Sequence, residues 1–251
     1  MANKSRKGKY NSKYRRAEAN KVILVIPDQH FPFAHRDIIK FLSAVKAKYK
    51  PTRVVNLGDE AEYAQISFHP SDPDMPGAGD ELKKTKDMLR PLMRLFPVMD
   101  ILESNHGSMH LRKAFMAGLP MALIKSYREI LDAPDGWTWH PDLILDLPTG
   151  EKVFFHPGMS ANGIQLSQSL HMNTVQGHHH TIFKIEYSAG LTNTVWAMQP
   201  GCLIDDASRA FSYNKLQKKR PILGCGLIIN GSPRLVQMRL NPRGSWDGVV
   251  D

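Results

Sequence analysis

Seven side chains with the donor atoms of a metal site are spread along this 251-residue sequence. They are two carboxylates, one amide and four imidazoles, with no thiolate: Asp28, His30, Asp59, Asn105, His156, His178 and His180. Such oxygen and nitrogen donors suit Mn²⁺, Fe²⁺, Zn²⁺ or Co²⁺ and do not suit Cu(I) or an iron–sulfur cluster. The sequence therefore predicts a site for two divalent cations, Mn²⁺ first, with Fe, Zn, Co, Ni or Mg as alternatives.

The spacing of these donors agrees with a shared site. In an extended segment, residues two apart point to the same side, so Asp28-x-His30 and His178-x-His180 can each present two donors together. A carboxylate placed between two cations can hold them about 3.5–4 Å apart, the separation that clamps a phosphoryl group. We predict this bridging position for Asp59, which follows Gly58 at the end of an apolar run.

Each motif taken alone has an ordinary structural explanation. Gly58-Asp59 is a common turn, and Asn105 or Ser104 could cap a helix. His156 beside two phenylalanines could be a core histidine, and the run at 177–180 could be a surface cluster. The argument for one site is that all five motifs come directly after apolar runs.

Those apolar runs predict the elements that position the donors. Residues 21–26, 53–57 and 98–102 have the composition of buried strands, and helical spacing covers 38–45 and 81–95. The β-α-β order implies parallel strands with right-handed crossovers. Because ligand sites of open α/β sheets lie at the carboxyl ends of strands, the donors should meet there.

The second half of the chain is predicted to be mostly strands, from Trp137 to Leu240. The expected fold class is therefore α/β, a two-sheet β-sandwich flanked by helices. Residues 21–251 should form a single catalytic domain, in which 107–135 make one or two helices that cap the site and 63–80 a loop beside it. Residues 1–20 lack apolar periodicity and should be a flexible arm.

The formal charge of +9 is concentrated at the amino terminus, where residues 1–21 hold eight basic residues and one acidic residue. A basic arm attracts polyanions, nucleic acid first, although a solubilising tail is the alternative. A second basic run at 215–220 is either a further contact or a solvated loop. The predicted nucleic-acid contacts are Lys4, Arg6, Lys7, Lys9, Lys13, Arg15, Arg16, Lys218, Lys219 and Arg220.

The apolar runs and the cysteines of the sequence indicate neither a membrane protein nor a disulfide-stabilised one. The sequence has no apolar run long enough to span a membrane and no apolar signal core at its start. Cys202 and Cys225 lie apart in apolar stretches, without C-x-x-C spacing, and are predicted to be reduced core residues. We therefore expect a cytoplasmic protein with no membrane partner.

The ordered motifs resemble the signature of the calcineurin-like metallophosphoesterases, D-x-H, G-D-x-x-D, G-N-H-[DE], a lone His after a strand, and G-H-x-H. This chain has Asp28-Gln29-His30, Gly58-Asp59-Glu60-Ala61-Glu62, Ser104-Asn105-His106-Gly107, His156 and Gly177-His178-His179-His180. The resemblance implies that Asp28, His30 and His180 hold one metal. It also implies that Asn105, His156 and His178 hold the other, with Asp59 between them.

The chain departs from that signature at three positions. Glu62 stands where the family has Asp, Ser104 where it has Gly, and Gly107 where it has an acidic residue. The resemblance implies a catalytic pair in which His106 protonates the leaving group and Glu62 orients His106. His179, between two donors, should point away from the metals.

Three functions agree with these observations. The first is a phosphodiesterase, a DNA or RNA nuclease, since the chain looks most similar to compact phage and bacterial nuclease-like members of the family. A phage-encoded protein would act in the host cytoplasm. The second is a phosphomonoesterase acting on phosphoprotein or nucleotide, and the third is a nucleic-acid-binding protein with a structural metal centre. The sequence leaves the oligomeric state open, a homodimer included.

Overall fold

A computed structural model describes residues 20–68, 74, 76–205 and 220–251 of the chain. Strands and helices alternate in its first half: β1 (Val22–Ile26), α1 (Ile38–Tyr49), β2 (Arg53–Asn56), α2 (Ala78–Leu95) and β3 (Met99–Leu102). A helical stretch follows, with α3 (Met109–Met116), a 3₁₀ turn (Met121–Leu123) and α4 (Tyr127–Leu131). A further 3₁₀ turn (Ala64–Ile66) lies between β2 and α2.

The second half contains most of the strands and one helix. They are β4 (Trp137–His140), β5 (Leu143–Asp146), β6 (Lys152–His156), α5 (Gly163–Leu170), β7 (Asn173–Gln176), β8 (Phe183–Ala189), β9 (Thr194–Pro200), β10 (Gly224–Ile229) and β11 (Ser232–Gln237). In the first half, the predicted strands 21–26, 53–57 and 98–102 each differ from the observed strands by one residue.

These strands form two sheets. The first has the order β11-β10-β1-β2-β3-β4, in which β1 to β4 run parallel. The second has the order β5-β6-β7-β9-β8, in which β6, β7 and β9 run parallel. Antiparallel strands close the ends of this arrangement at β10, β11, β5 and β8. The predicted α/β sandwich is confirmed.

The core has two layers because side chains alternate across a strand. Ile23 and Val25 of β1 lie in the cluster between the sheets, together with Val55, Phe155 and Trp196. The intervening residues of β1 face outward into a second cluster, formed with buried side chains of α1 and α2: Leu24, Ile26, Phe41, Leu42, Val45, Leu89 and Leu92. Helices α1 and α2 therefore cover the outer face of the first sheet.

Helix α5 covers the outer face of the second sheet. Its buried Ser167 donates a hydrogen bond to the carbonyl of Trp196 at 3.1 Å. Asn162 caps this helix by accepting from Gln165 N at 3.4 Å. The order of layers is thus helix, sheet, sheet, helix.

The amino-terminal prediction needs one correction. Asn20, which was assigned to the flexible arm, is buried. Its amide donates to the carbonyl of Asp146 at 2.8 Å, and its oxygen accepts from Arg53 at 3.2 Å. The rest of the predicted arm, 1–19, lies outside the described residues.

Two composition-based expectations can be compared with the described residues. No helix among them is both long enough and apolar enough to cross a membrane. Cys202 and Cys225 are both buried, as predicted for core residues.

Candidate metal centre

The seven predicted donors come together where five parallel strands end. Strands β1, β2 and β3 of the first sheet lead into Asp28 and His30, Asp59, and Asn105, whereas β6 and β7 of the second lead into His156 and the 178–180 run. The ligand atoms of Asp28, His30 and His180 all lie within 4.8 Å of one another. The remaining donors line one cavity of about 320 Å³: Asp59, Asn105, His156 and His178.

A short backbone ladder holds the loops after β1 and β2 in register. His30 N donates to Asp59 O at 2.8 Å, and Phe31 N donates to Glu60 O at 2.9 Å. Glu62 N then donates to Phe31 O at 3.0 Å. These bonds couple the Asp-x-His motif to the Gly-Asp motif through main chain, so the relative positions of their side chains do not depend on rotamers alone.

Three of the predicted donors adopt left-handed backbone conformations that non-glycine residues rarely take. Their φ angles are 53° at His30, 49° at Asp59 and 70° at His178. The other described non-glycine residues with positive φ are three helix C-caps, one hairpin residue and one residue beside the site: Lys50, Asp132, His171, Asn230 and Tyr63. Such conformations cost roughly 1–3 kcal/mol each and concentrate at functional sites.

Two glycines allow the close approach of these loops. Gly58 has a φ of +94°, and a Cβ there would lie 2.6 Å from Ser104 Cβ. A Cβ on Gly177 would lie 2.5 Å from Asp28 Oδ1. The glycines of the Gly-Asp and Gly-His dipeptides therefore allow close packing against Ser104 and Asp28, respectively.

Asp28 is fully buried and has one unsatisfied oxygen. Its Oδ2 accepts from His178 N at 2.6 Å and lies 3.2 Å from His180 Nε2. Its Oδ1 is buried and has no hydrogen-bond partner. Because an unpaired buried carboxylate oxygen is costly, a cation beside Oδ1 would relieve this cost.

His30 is oriented by Glu62. The carboxylate of Glu62 accepts a hydrogen bond from His30 Nδ1, so Nε2 is the ring nitrogen that faces the other donors. That Nε2 lies 3.2 Å from His180 Nε2 and 4.0 Å from Asp59 Oδ2. A carboxylate on the second ring nitrogen is the usual support of a metal-binding histidine. Burial opposes protonation of His30, but the carboxylate outweighs it and raises the pKa of His30.

The predicted partnership of Glu62 with His106 therefore differs in detail. The ring of His106 donates from Nδ1 to the backbone carbonyl of Glu62 at 2.5 Å, while the Glu62 carboxylate stays 3.6 Å from that nitrogen. The carboxylate contacts Nδ1 of His30 instead. Glu62 thus contacts both rings, one by side chain and one by main chain.

His106 lies against the proposed bridging carboxylate. Its backbone N donates to Asp59 Oδ1 at 3.2 Å, and its ring packs edge-on to His30 at 4.8 Å between centroids. Burial opposes protonation, but the carboxylates of Asp59 and Glu62 outweigh it and raise the pKa of His106. Burial likewise favours the neutral form of Asp59, while His106 and His30 lower the pKa of that carboxyl overall.

The second group of donors is more open. Asn105 is exposed at the cavity wall, and His156 Nδ1 accepts from Gly158 N at 3.0 Å. Burial lowers the pKa of His156, so its ring is neutral and this bond puts the proton on Nε2. A cation at Nδ1 would have to replace the Gly158 bond.

The donor chemistry can be compared with a pair of divalent cations. Asp28, His30 and His180 fit one cation, since their oxygen and nitrogen atoms converge and Asp28 Oδ1 lacks a partner. Asn105, His156 and His178 share a cavity but fit a second cation only after the His156 bond is exchanged. Asp59 borders both groups.

Sequence reasoning missed the role of Ser104. The sequence indicated Ser104 as a replacement for glycine or as a possible helix cap, yet its buried hydroxyl accepts from Asp59 N at 2.9 Å and from Gly107 N at 3.2 Å. It thereby ties the loops after β2 and β3 together. The signal available in the sequence was a hydroxyl beside two turn-forming residues, which commonly bonds nearby backbone N–H groups.

The structure places two other groups of predicted residues. Arg220 is exposed, whereas the other predicted nucleic-acid contacts lie outside the described residues. His179 packs its ring edge against His178 at 5.1 Å, and its buried Nε2 has no hydrogen-bond partner. It is absent from the lining of the cavity.

Solved structures with some similarity to this chain are distant in sequence. Vps29 from Chaetomium thermophilum is 13% identical, the alignment covers 92% of this chain and 96% of that one, and the TM-score is 0.49. YfcE, a phosphoesterase from E. coli, is 13% identical over 90% of this chain and 96% of that one, with a TM-score of 0.41. No protein-family model matches the sequence, and no curated protein does. These similarities are too distant to bear on function.

Proposed function

We propose that this protein hydrolyses phosphodiester bonds with two divalent cations, Mn²⁺ in the first place, and acts as a nuclease on DNA or RNA. The observation that carries the proposal is the position of Asp59. Its Oδ2 lies 4.0 Å from His30 Nε2 on one side, and on the other it lines the cavity shared with Asn105, His156 and His178. One carboxylate thus borders two groups of donors, as a bridging ligand must.

The proposed ligands divide between the two sheets. Asp28, His30 and His180 would hold one cation, and Asn105, His156 and His178 the other. When bound, such cations lower the pKa of a water molecule and neutralise the charge of the phosphoryl oxygens.

His106 is proposed as the general acid, with Glu62 as a positioning residue. Because Nδ1 donates to the Glu62 carbonyl, Nε2 is the nitrogen left to give a proton to the leaving oxygen. The neighbouring carboxylates favour the protonated ring, which agrees with that role. Glu62 holds His30 through its side chain and His106 through its main chain.

Charge supports a polyanionic substrate over a small monoester. Residues 1–21 carry eight basic residues against one acidic residue, and Arg220 adds an exposed cation. Basic residues of this kind bind phosphate backbones without regard to sequence. Nucleic acid is therefore the proposed partner.

Turnover by the Mn²⁺-loaded protein tests the reaction class. We expect hydrolysis of bis-p-nitrophenyl phosphate and of DNA or RNA in preference to p-nitrophenyl phosphate, and a loss of about 100-fold in kcat in His106→Asn on an unactivated ester. His171→Asn, at an exposed helix C-cap, is the control. Hydrolysis of the monoester alone would indicate a phosphomonoesterase, and inactivity with every divalent metal would leave a nucleic-acid-binding protein.

Deletion of residues 1–19 tests the arm separately, because it stops before the buried Asn20. We expect weaker binding of DNA and a smaller dependence of affinity on salt. If the affinity and its salt dependence stay the same, the arm is not a nucleic-acid contact.

A further inference from the structure

An exposed aromatic ring with two cations lies beside the candidate metal centre. Phe68 is 45% exposed. The Nζ of Lys113 lies 4.2 Å from its ring centroid, and the guanidinium carbon of Arg112 lies 5.0 Å from it. This distance range is that of cation–π contacts, so the three side chains form one unit on the surface.

That unit is joined to the cavity through Arg112. Its guanidinium donates a hydrogen bond to the carbonyl of Asn105 at 3.0 Å, and Asn105 lines the cavity. The same guanidinium lies 3.5 Å from the sulfur of Met109. Arg112 therefore connects the Phe68 ring to a residue of the cavity wall.

The surface around Phe68 is both apolar and positively charged. Phe115 and Met116, three and four residues beyond Arg112 on α3, are exposed, Met116 to 74%. An amphipathic surface helix normally turns such residues inward, so an exposed apolar group of this kind indicates a binding surface. Arg112 and Lys113 give this surface two positive charges, which complement a polyanion.

We propose that Phe68, Arg112 and Lys113 form a platform for the unpaired bases of a single-stranded nucleic acid whose phosphate enters the cavity. The inference rests on the proposed function and specifies its substrate. Bases of a single strand stack on the exposed part of the Phe68 ring and on the Arg112 guanidinium, while Lys113 neutralises a neighbouring phosphate. A duplex cannot use the platform, because its bases are already stacked and face inward.

The test compares Phe68→Ala and Lys113→Gln with Tyr187→Ala, a control at an aromatic side chain that is 61% exposed on β8 of the second sheet. The probe is a short, dye-labelled single-stranded DNA with phosphorothioate linkages, titrated into the full-length Mn²⁺-loaded protein and followed by fluorescence anisotropy. Arg112 is left unchanged, since its bond to Asn105 would confound the result.

Each variant has a distinct expected signature. Phe68→Ala should weaken binding of the strand roughly tenfold, because a stacking contact is lost. The salt dependence of binding should stay the same, because no contact to a phosphate is removed. Lys113→Gln should reduce the slope of log affinity against log salt by about 0.7, the value for one phosphate contact on a single strand. Tyr187→Ala should change neither quantity.

Turnover provides the second readout. The ratio of kcat/KM for a single-stranded oligonucleotide to that for bis-p-nitrophenyl phosphate should fall about tenfold in Phe68→Ala and stay constant in Tyr187→Ala. A duplex of the same sequence should show no difference between the native protein and Phe68→Ala.

Several results would overturn the platform. One is binding of the strand by Phe68→Ala and Lys113→Gln with native affinity and salt slope. Another is that Phe68→Ala still binds the strand but no longer binds phosphatidylserine vesicles, or no longer self-associates. If the native protein hydrolyses no ester but binds the strand as described, the proposed function fails and the platform stands. If the native protein hydrolyses phosphodiesters but Phe68→Ala and Lys113→Gln bind the strand as the native protein does, the platform fails and the proposed function stands.

Discussion

Glu62 positions two histidine rings of the site, one through its side-chain carboxylate and one through its backbone carbonyl. The carboxylate accepts from His30 Nδ1, and the carbonyl accepts from His106 Nδ1. Burial disfavours its charge, but the His30 ring outweighs burial and lowers the pKa of Glu62. A charged acceptor on the far nitrogen makes His30 Nε2 a better cation ligand.

Glu62→Gln should lower Mn²⁺ affinity about 10–100-fold, because the amide keeps a hydrogen-bond acceptor but loses the charge behind His30. Isothermal titration calorimetry of metal binding measures the effect, with the exposed Glu151→Gln as control. Native metal affinity combined with a lower kcat would instead assign the side chain of Glu62 to His106.

Glu60 is a second buried carboxyl, and its effect on the free energy of unfolding depends on pH. Its Oε1 accepts from Trp139 Nε1 at 3.1 Å, and burial raises the pKa of Glu60 to about 7. The ordinary pKa of a glutamate side chain, which applies in the unfolded state, is 4.5. Between these values the folded state keeps a proton that the unfolded state has released, so the free energy of unfolding falls as pH rises.

Glu60→Gln should therefore gain stability relative to the native protein as pH rises from 4.5 to 7, and the difference should level off above pH 7. At 1.36 kcal/mol per pH unit the total change is about 3 kcal/mol. Urea unfolding of the metal-free protein in EDTA measures it. Parallel stability curves for the two proteins would mean that Glu60 titrates alike in the folded and unfolded states.

At the scale of elements, the turns after the strands decide the site more than the strands do. Strands β1, β2 and β3 end in loops that bond to one another through Asp59 O and Ser104 Oγ. The strained φ angles at His30 and Asp59 persist because these bonds hold the backbone. At Gly58 the loops after β2 and β3 approach closely, since a Cβ there would lie 2.6 Å from Ser104 Cβ.

Gly58→Ala should destabilise the fold by about 2–4 kcal/mol and lower metal affinity as well, since a Cβ would lie 2.8 Å from the carbonyl of Leu102 and would displace Asp59. Gly79→Ala in α2 is the matched control, because nothing lies within 4 Å of a Cβ there. The control should be neutral or more stable by up to about 1 kcal/mol. Urea midpoints that are equal in the two variants would contradict the packing argument.

At the scale of the molecule, the candidate site joins the two sheets. Asp28, Asp59 and Asn105 come from the first sheet, and His156 and His178 come from the second. Asp28 Oδ2 already accepts from His178 N across that division. A cation among these donors would therefore oppose separation of the sheets during unfolding.

Mn²⁺ should raise the free energy of unfolding by about 2.7 kcal/mol at a concentration 100 times its dissociation constant. Asp28→Asn should remove most of this gain, because it removes the negative charge of a proposed metal ligand that contacts both His178 and His180. The control Asp135→Asn, at an exposed position, should keep the gain. Urea unfolding with and without Mn²⁺ is the measurement. Equal stability of the native protein in both conditions would argue against binding of metal in the folded state.

Much of the fold and the placement of the donors could be predicted from the sequence. Apolar runs mark buried strands, and a polar residue directly after such a run must lie at the end of that strand. This local rule placed Asp28, Asp59 and His156 at the sheet edges. It also predicted the helices over 38–45 and 81–95, within the observed α1 and α2.

Only the tertiary structure decided which groups meet across long separations. The sequence did not indicate that β4, β10 and β11 join the first sheet, that Glu62 turns its carboxylate to His30, or that Ser104 bonds Asp59 N. Strand patterns depend on neighbouring residues, whereas these contacts depend on how two sheets pack and on left-handed turns at single residues. The types and order of the donors are therefore a property of the sequence, and their convergence is a property of the packed fold.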